Sequence, residues 1–255
     1  MLFGEIAYGP IHSRRLGTSL GVELMPLDHK LCTFNCVYCE CGWNEKVTRP
    51  KLPTKEEVKV ALEAKLSALR SQGLALDVIT FSGNGEPTLH PEFLGIIEDT
   101  CALRDQYYPK AKVSVLSNST QLGRPDVVQA LRLCDNRILK LDAGTDTMMR
   151  RIDLPVNEQL TVSQIMAWLK VFDGDFTLQT CFLRGEHAGE RIDNTTPEEL
   201  AAWYRAVEVL RPKQIMIYVI DRKTPEENLE KISREEMERI AAPLREKGLD
   251  VSISA

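Results

Sequence analysis

Four of the chain's seven cysteines lie within ten residues, in the stretch KLCTFNCVYCECGW from Lys30 to Trp43. Cys32, Cys36 and Cys39 have the spacing C-x3-C-x2-C, which allows three thiolates on a short loop to converge on one metal centre. Iron–sulfur clusters take cysteine thiolates as ligands, and a four-iron cluster held by three of them keeps one iron open. The spacing therefore predicts an iron–sulfur site that binds a further molecule at its open iron.

Cys41 lies two residues beyond the third cysteine and two roles stay open for it. Cys41 would be a poor fourth ligand, because it would fill the open iron. We favour packing of its thiol beneath the loop over exposure to a substrate cavity. The alternative of another class is a zinc-stabilised binding module that uses all four cysteines. Zinc sites usually hold two C-x2–4-C pairs with a longer insert between them, and Cys39-x-Cys41 is tighter than such a pair.

The other three cysteines lie in helix or strand patterns and form no second pair. We expect them to be buried as small hydrophobic side chains. They are Cys101, Cys134 and Cys181.

The elements that position the cysteine loop alternate along the chain. Near-continuous apolar runs indicate strands buried on both faces, as in parallel sheets. The predicted strands are Gly21–Met25, Asp77–Ser82, Lys112–Ser117, Arg137–Asp142, Phe176–Leu183, Gln214–Ile220 and Leu249–Ser254. Capping residues and prolines predict helix starts between the strands. These starts are at Thr54, Pro91, Pro125, Thr161, Thr196 and Ser233.

This alternation predicts an α/β fold of βα units joined by right-handed crossovers. Six or seven units fit a complete or partial β/α barrel, and a doubly wound open sheet is the alternative. The G-x-G-x-x-G motif that would favour a dinucleotide-binding sheet is missing. Polar or glycine-rich segments follow the strands, among them SGNGEPTLH, SNST, DAGT and RGEH. In β/α barrels such loops gather on one face and build the active site.

Two charged side chains alternate on the fourth predicted strand and therefore share one face. Because unpaired charge is costly in a barrel interior, we expect Lys140 and Asp142 to pair with each other or to bind polar groups of a cofactor. Gln179, within the apolar run of the fifth strand, is a similar candidate.

The stretch Cys32-Thr33-Phe34-Asn35-Cys36-Val37-Tyr38-Cys39 resembles the signature of the radical S-adenosylmethionine (SAM) family, which has an aromatic residue before its last cysteine. The resemblance runs over roughly 17–220 and implies a partial (β/α)6 TIM-like barrel. We expect one core domain over 1–255, with an N-terminal extension at 1–20 and a C-terminal helix and strand at 221–255.

The resemblance also implies the cofactors. The three cysteines would hold a [4Fe-4S] cluster whose open iron binds the amino and carboxylate groups of S-adenosyl-L-methionine. Reductive cleavage of SAM then gives a 5′-deoxyadenosyl radical that abstracts a hydrogen from an unidentified substrate. A flavodoxin or ferredoxin is the implied electron donor.

The loops after the strands extend this resemblance. Ser82–Pro87 looks like the family's glycine-glycine-glutamate motif, which binds the methionine ammonium, although Asn84 interrupts it here. The segment Ser117–Ser119 resembles the part that touches the ribose or carboxylate, and Tyr38 matches the aromatic residue that lies against the adenine. The predicted cofactor-binding residues are Tyr38, Gly83, Asn84, Gly85, Glu86, Ser117, Asn118, Lys140, Asp142 and Gln179.

Three segments, GPIHSRRLGTSLGVEL, CVYCECG and LDAGTDTMMRRIDLP, look like a bacterial branch related to the wyosine-forming tRNA enzyme. Those enzymes carry a second cluster on upstream cysteines, whereas residues 1–31 contain none. The net charge of −5 also argues against a large nucleic-acid footprint. We therefore favour a small-molecule or peptide substrate over tRNA, and wyosine-like tRNA base modification is the alternative.

Three residues before the first predicted strand could contact an anionic substrate, because arginine suits bidentate phosphate or carboxylate contacts. They are His12, Arg14 and Arg15. No segment approaches the roughly 18 apolar residues that span a bilayer, and the N-terminus does not have the charge order of a secretory signal. We expect a cytoplasmic protein without a membrane partner, with its cysteines as thiols or metal ligands.

Overall fold

A computed structural model describes residues 2–13 and 16–255. The chain divides into two compact units. The first unit comprises Met1–Cys32, Asn44–Ser117 and Gln121–Arg137. The second comprises Thr33–Trp43, Asn118–Thr120 and Ile138–Ala255. The cysteine loop thus begins in the first unit and continues in the second, and the expected single core domain stays a prediction.

The first unit contains a sheet covered by helices. Strand β1 runs antiparallel to β2, and β2, β3 and β4 are parallel neighbours. Its strands are β1 (Ala7–Ser13), β2 (Gly17–Val22), β3 (Val78–Phe81) and β4 (Lys112–Ser117). Its helices are α1 (Lys55–Ser71), α2 (Phe93–Tyr107) and α3 (Pro125–Leu133), with a short 3-10 helix at Pro87–Leu89.

The second unit contains a parallel set of strands and a small antiparallel sheet. The parallel neighbours are β5 (Asn136–Lys140), β6 (Thr177–Cys181), β9 (Gln214–Tyr218) and β11 (Val251–Ser254). The antiparallel sheet places β7 (Leu183–His187) between β8 (Glu190–Asp193) and β10 (Leu229–Lys231). The helices are α4 (Asp146–Ile152), α5 (Val162–Leu169), α6 (Pro197–Leu210) and α7 (Arg234–Glu246), with a 3-10 turn at Lys170–Phe172.

Helix starts follow the capping chemistry of the sequence. At the start of α1, the Thr54 hydroxyl accepts from the Glu57 amide while the Glu57 carboxylate accepts from the Thr54 amide, which completes a capping box. The predicted starts at Pro125, Thr161, Thr196 and Ser233 are confirmed. The helix expected from Pro91 begins at Phe93, after the 3-10 turn.

Strand positions are confirmed with one clear shift. The strand expected at Gly21–Met25 lies earlier, as β2, and ends at Val22. The chain leaves the sheet because the Glu23 carboxylate accepts a hydrogen bond from the Met25 amide at 2.8 Å, and Pro26 has no amide hydrogen to continue a ladder. Strand β1 and the antiparallel sheet were not predicted. Among the described residues, no helix is long and apolar enough to cross a membrane.

Helix α1 offers a matched test of the core. Leu62 is 1% exposed and Val60, on the same helix, is 57% exposed. We expect Leu62→Ala to lower the free energy of unfolding by about 2–5 kcal/mol, because it leaves a cavity. Val60→Ala should change it by less than about 0.5 kcal/mol. Urea unfolding followed by circular dichroism measures both, and equal effects would contradict the assigned face of α1.

Candidate active site

The glycine-rich turn after β3 holds the chain just before the first cysteine. Leu31 donates its amide to the Asn84 carbonyl at 2.9 Å, and its own carbonyl accepts the Glu86 amide at 3.1 Å. A Cβ on Gly85 would lie 1.7 Å from the Leu31 carbonyl oxygen, and Gly85 has a φ of +153°. Glycine is therefore required here for the close backbone pairing next to Cys32.

Asn84, the residue that interrupts the expected glycine motif, is fully buried. Its side-chain amide donates to the carbonyls of Phe3 and Pro26, both at 2.9 Å, and its side-chain oxygen accepts the Phe3 amide at 2.8 Å. The side chain therefore ties the N-terminal segment to the turn. Its predicted contact with SAM stays a prediction.

Glu86 and Ser117 meet inside the first unit. The Ser117 hydroxyl donates to Glu86 Oε1 at 2.8 Å, and the amide and hydroxyl of Thr88 donate to the same oxygen. Glu86 is buried and caps the 3-10 helix that follows it. These contacts fix the carboxylate at the end of β3 beside the end of β4.

Glu23 is a buried carboxyl group at the end of β2. Its Oε2 accepts the Asn84 amide at 2.6 Å, and a Cβ on Gly83 would lie 2.0 Å from that oxygen. Burial raises the pKa of Glu23 to about 7, although hydrogen bonds from the amides of Asn84, Met25 and Leu24 favour the ionised form. Glu23 thus fixes the start of the glycine-rich turn.

The second unit holds the rest of the cysteine loop against the segment after α4. Asn35 donates its amide to the Asp153 carbonyl at 2.9 Å, and Val37 donates to the Ile152 carbonyl at 2.9 Å. The Cys39 amide bonds the Cys36 carbonyl at 3.1 Å, which turns the loop back on itself. The loop is therefore anchored by its backbone on both sides of Cys36.

A buried ammonium lies beside the middle cysteine. Lys140 Nζ is 3.1 Å from Asp142 Oδ2, 3.1 Å from Asp153 Oδ1 and 3.0 Å from Cys36 Sγ. Burial alone would lower the pKa of Lys140, but the charges of Asp142, Asp153 and Cys36 raise it well above its usual value. Burial raises the pKa of Asp153 to about 6 despite the nearby ammonium. The expected pairing of Lys140 with Asp142 is present, and Asp153 joins it.

Tyr38 belongs to the same cluster. Its hydroxyl donates to Asp142 Oδ2, and the Tyr218 hydroxyl donates to the Tyr38 oxygen at 3.3 Å. Lys140 Nζ lies 4.8 Å from the centre of the Tyr38 ring, within cation–π range. Burial, followed by the charge of Asp142, raises the pKa of Tyr38 well above its usual value, so that the phenol keeps its proton.

Two other predicted residues lie in the second unit near these groups. Asn118 donates to the Thr33 hydroxyl at 2.8 Å and accepts from the Thr120 amide, so it holds the residue after Cys32. Gln179 is buried and is the register partner of Lys140 on the neighbouring strand.

The remaining predicted residues have different positions. His12 is exposed on β1, and Arg14 and Arg15 lie outside the described residues. All seven cysteines are thiols rather than disulfides, and Cys41 is half-buried. Cys134 and Cys181 are buried as expected, whereas Cys101 is half-buried. Within 2–13 and 16–255, no three His, Cys, Asp or Glu side chains form a ready site for one metal ion.

Sequence reasoning missed Glu23 and Asp153. Each is a single acidic residue beside a segment already singled out, Glu23 inside a predicted strand and Asp153 in the RRIDLP run. The available signal for Glu23 was an acidic residue inside an apolar run, where an unpaired charge is costly. For Asp153 no local pattern distinguishes a buried carboxylate from a solvated one.

In the first unit the residue before Cys32 is paired with the turn after β3, and in the second unit Cys36 lies beside a buried ammonium. Residues 29–193 match the model of the Radical SAM superfamily, and the chain belongs to this superfamily. The predicted family is confirmed, and with it membership of a superfamily of enzymes.

A relative from Brachyspira hyodysenteriae, named GTPase Obg, is 30% identical over 236 residues, which are 91% of this chain and 32% of that protein. Further relatives are 30–32% identical and cover 67–71% of this chain and 50–60% of their own lengths. The chain thus spans from about a third to three-fifths of the length of the curated relatives it matches.

Two solved structures share the fold. A structure of TYW1 with a lysine-pyruvate adduct bound has a TM-score of 0.64 and 17% identity, over 91% of this chain and 74% of that one. Streptococcus suis SuiB bound to S-adenosylmethionine has a TM-score of 0.62 and 14% identity, over 91% of this chain and 50% of that one. The predicted partial β/α barrel of the radical SAM type is confirmed.

Glu23 makes stability depend on pH. Because its folded pKa of about 7 lies above the usual 4.5, the folded state keeps a proton that the unfolded state releases. The free energy of unfolding should therefore fall as pH rises from about 4.5 to 7, by at most about 1.4 kcal/mol per pH unit. Glu23→Gln should flatten this slope in urea titrations.

The matched control is Glu56→Gln on the exposed side of α1, which should leave the slope unchanged. A Glu23→Gln protein with the wild-type slope would contradict the assigned protonation of Glu23.

Proposed function

We propose that the protein is a radical SAM enzyme in which Cys32, Cys36 and Cys39 bind one [4Fe-4S] cluster. The observation that carries this proposal is that the C-x3-C-x2-C loop lies within the matched residues and that the Cys36 thiol lies 3.0 Å from a buried ammonium. Cysteine thiolates are the ligands of iron–sulfur clusters. The donor set therefore fits a thiolate-bound cluster.

When bound, the cluster supplies the electron that cleaves SAM into methionine and a 5′-deoxyadenosyl radical, which takes a hydrogen atom from the substrate. The protein holds and orients the reactants and excludes water from them. Leu31 and Gly85 fix the first cysteine by backbone pairing. Asp153 and Ile152 fix the loop on either side of Cys36.

We propose that SAM binds against the residues predicted for it. Support comes from SuiB, a protein of the same fold whose structure has been solved with S-adenosylmethionine bound. The glycine-rich turn at 83–86, which resembles the family's glycine-glycine-glutamate motif, would bind the methionine ammonium. Asp142 and Tyr38 would present a carboxylate and a phenol that keeps its proton.

We propose a small-molecule or peptide substrate and a flavodoxin or ferredoxin as the electron donor. The TYW1 structure holds a lysine-pyruvate adduct, and an amine must be neutral to attack a carbonyl. Lys140 is surrounded by Asp142, Asp153 and Cys36, which keep it protonated, so this lysine is poorly suited to form such an adduct.

One relative is named a GTPase, but this chain does not contain the phosphate-binding motif G-x-x-x-x-G-K-[ST]. We therefore do not propose GTP hydrolysis for it.

The cluster is tested by anaerobic reconstitution. We expect the wild-type protein to take up iron and sulfide and to form 5′-deoxyadenosine from SAM and a reductant. Cys32→Ala, Cys36→Ala and Cys39→Ala should each lose iron and bring 5′-deoxyadenosine to background, because an iron loses its ligand. Iron analysis and chromatography measure the two effects.

The matched control is Cys101→Ala, which lies on α2 outside the loop, and it should keep full iron content and product formation. Wild-type protein that binds one zinc and no iron would overturn the proposal and favour the zinc-stabilised binding module.

The substrate class is tested by mass spectrometry of tRNA nucleosides from wild-type and deletion strains. We expect identical nucleoside profiles, because the chain has an overall negative charge and phosphate contacts need basic groups. A nucleoside that disappears on deletion and returns with the wild-type gene, but not with a Cys36→Ala gene, would establish tRNA modification instead.

A further inference from the structure

The contact between Lys140 and Cys36 bears on the redox chemistry of the site. We propose that Lys140 is a positioning residue that donates a charge-assisted N–H···S hydrogen bond to Cys36 and thereby raises the reduction potential of the cluster. This inference rests on the proposed function. It concerns a lysine at the end of β5, far in sequence from the cysteine loop.

The geometry supports a hydrogen bond. Lys140 Nζ lies 3.0 Å from Cys36 Sγ, well within the reach of a donor to sulfur. The thiol also donates to Asp153 Oδ1 at 3.3 Å. Once Cys36 loses its proton to bind iron, that second contact becomes a repulsion between two anions. The ammonium lies 3.1 Å from the same Asp153 oxygen and therefore offsets this repulsion.

The local charge balance makes this ammonium important. The carboxylates of Asp142 and Asp153 bring two negative charges to one buried place beside Cys36, where Lys140 supplies a positive charge. Both carboxylate side chains are at most 2% exposed, so water screens them poorly. Without the ammonium, these two carboxylates would oppose the addition of an electron to the cluster.

Lys140 is held in place by its surroundings. Its carbonyl accepts a hydrogen bond from the Ser119 hydroxyl at 3.2 Å. Its ammonium lies 5.5 Å from the ring centre of Phe34 and 4.8 Å from that of Tyr38, both on the cysteine loop. The lysine thus contacts the loop through two rings as well as through sulfur, and its position relative to Cys36 is fixed.

The direction of the effect follows from electrostatics. Reduction adds one negative charge, and a nearby positive donor stabilises the reduced form more than the oxidised form. Hydrogen bonds to the sulfurs are among the factors that set the potentials of iron–sulfur clusters. Loss of the donor should therefore lower the potential and make the cluster harder to reduce.

The test compares four reconstituted proteins by redox titration of the cluster, followed by electron paramagnetic resonance without SAM. They are the wild type, Lys140→Met, the double variant Lys140→Met/Asp142→Asn, and the control Lys213→Met, which removes an exposed lysine paired with Asp175. Lys140→Met should lower the ratio of reduced to oxidised cluster at a fixed potential about tenfold, which is about 59 mV for one electron. Lys213→Met should match the wild type.

The double variant distinguishes the effect of the hydrogen bond on the potential from the effect of net charge. It removes one positive and one negative charge, so the net charge of the site stays the same while the N–H···S donor is lost. We expect its potential to stay below that of the wild type. A wild-type potential in the double variant would overturn the proposed N–H···S bond and leave a simple charge effect. Should Lys140→Met fail to hold iron, the double variant, with less uncompensated charge, carries the comparison.

A second measurement uses only the wild-type protein, so it does not depend on the folding of any variant. In wild-type protein labelled with 15N-lysine, we expect a weak hyperfine coupling between nitrogen and the reduced cluster, detected by electron–nuclear double resonance. Absence of that coupling would overturn the inference while the cluster and SAM cleavage remain. A wild-type protein that binds no iron–sulfur cluster would instead overturn the proposed function.

Discussion

Burial of the Lys140 ammonium is the constraint on which the second unit depends. A buried charge is tolerated only when it is paired and hydrogen-bonded, and Lys140 meets Asp142 and Asp153 at 3.1 Å each. Asp142 and Asp153 also make hydrogen bonds to other parts of the second unit. Asp142 accepts the Cys181 amide at 2.8 Å and the Tyr38 hydroxyl, and the Asp153 carbonyl holds the cysteine loop. The two aspartates that pair with Lys140 therefore also hold residues of the cysteine loop.

In the first unit, a buried carboxyl group is held by backbone amides. Glu23 is buried, and the groups that the structure shows around its carboxyl oxygens are backbone amides. These amides come from the turn after β2 and from the turn after β3, so the carboxyl group joins two neighbouring strand ends. Asn84 extends the same connection to Phe3 and Pro26. The buried carboxyl group of Glu23 is thus stabilised by hydrogen bonds from backbone amides, whereas the buried carboxylates of the second unit are stabilised by an ion pair.

The sequence was sufficient for the parts that depend on local chemistry. Capping residues such as Thr54 and Thr196 mark helix starts because their hydroxyls satisfy amides three residues away. The cysteine spacing and the glycine-rich turn could also be recognised in the sequence, because each depends on residues that are close together in the chain. Strand β1 and the antiparallel sheet were missed although β1 pairs with β2, and β7 with β8, as neighbours in sequence. Their segments lack an apolar run, because β1 contains Gly9 and Pro10 and the other two strands are rich in charged residues. The role of Asp153 depends on Lys140, 13 residues away on another element, and no pattern in one sequence reveals such a pair.

The backbone of the cysteine loop also contacts the segment that follows β9. The Glu226 amide bonds the Val37 carbonyl at 3.3 Å, and Arg222 pairs with Glu40 at 2.8 Å. Val37 therefore uses its amide toward Ile152 and its carbonyl toward Glu226. Such a residue exchanges its amide hydrogen with solvent only when a larger part of the unit opens. The cysteine loop is thus protected by cooperative local stability, and not only by the side chains that cover it.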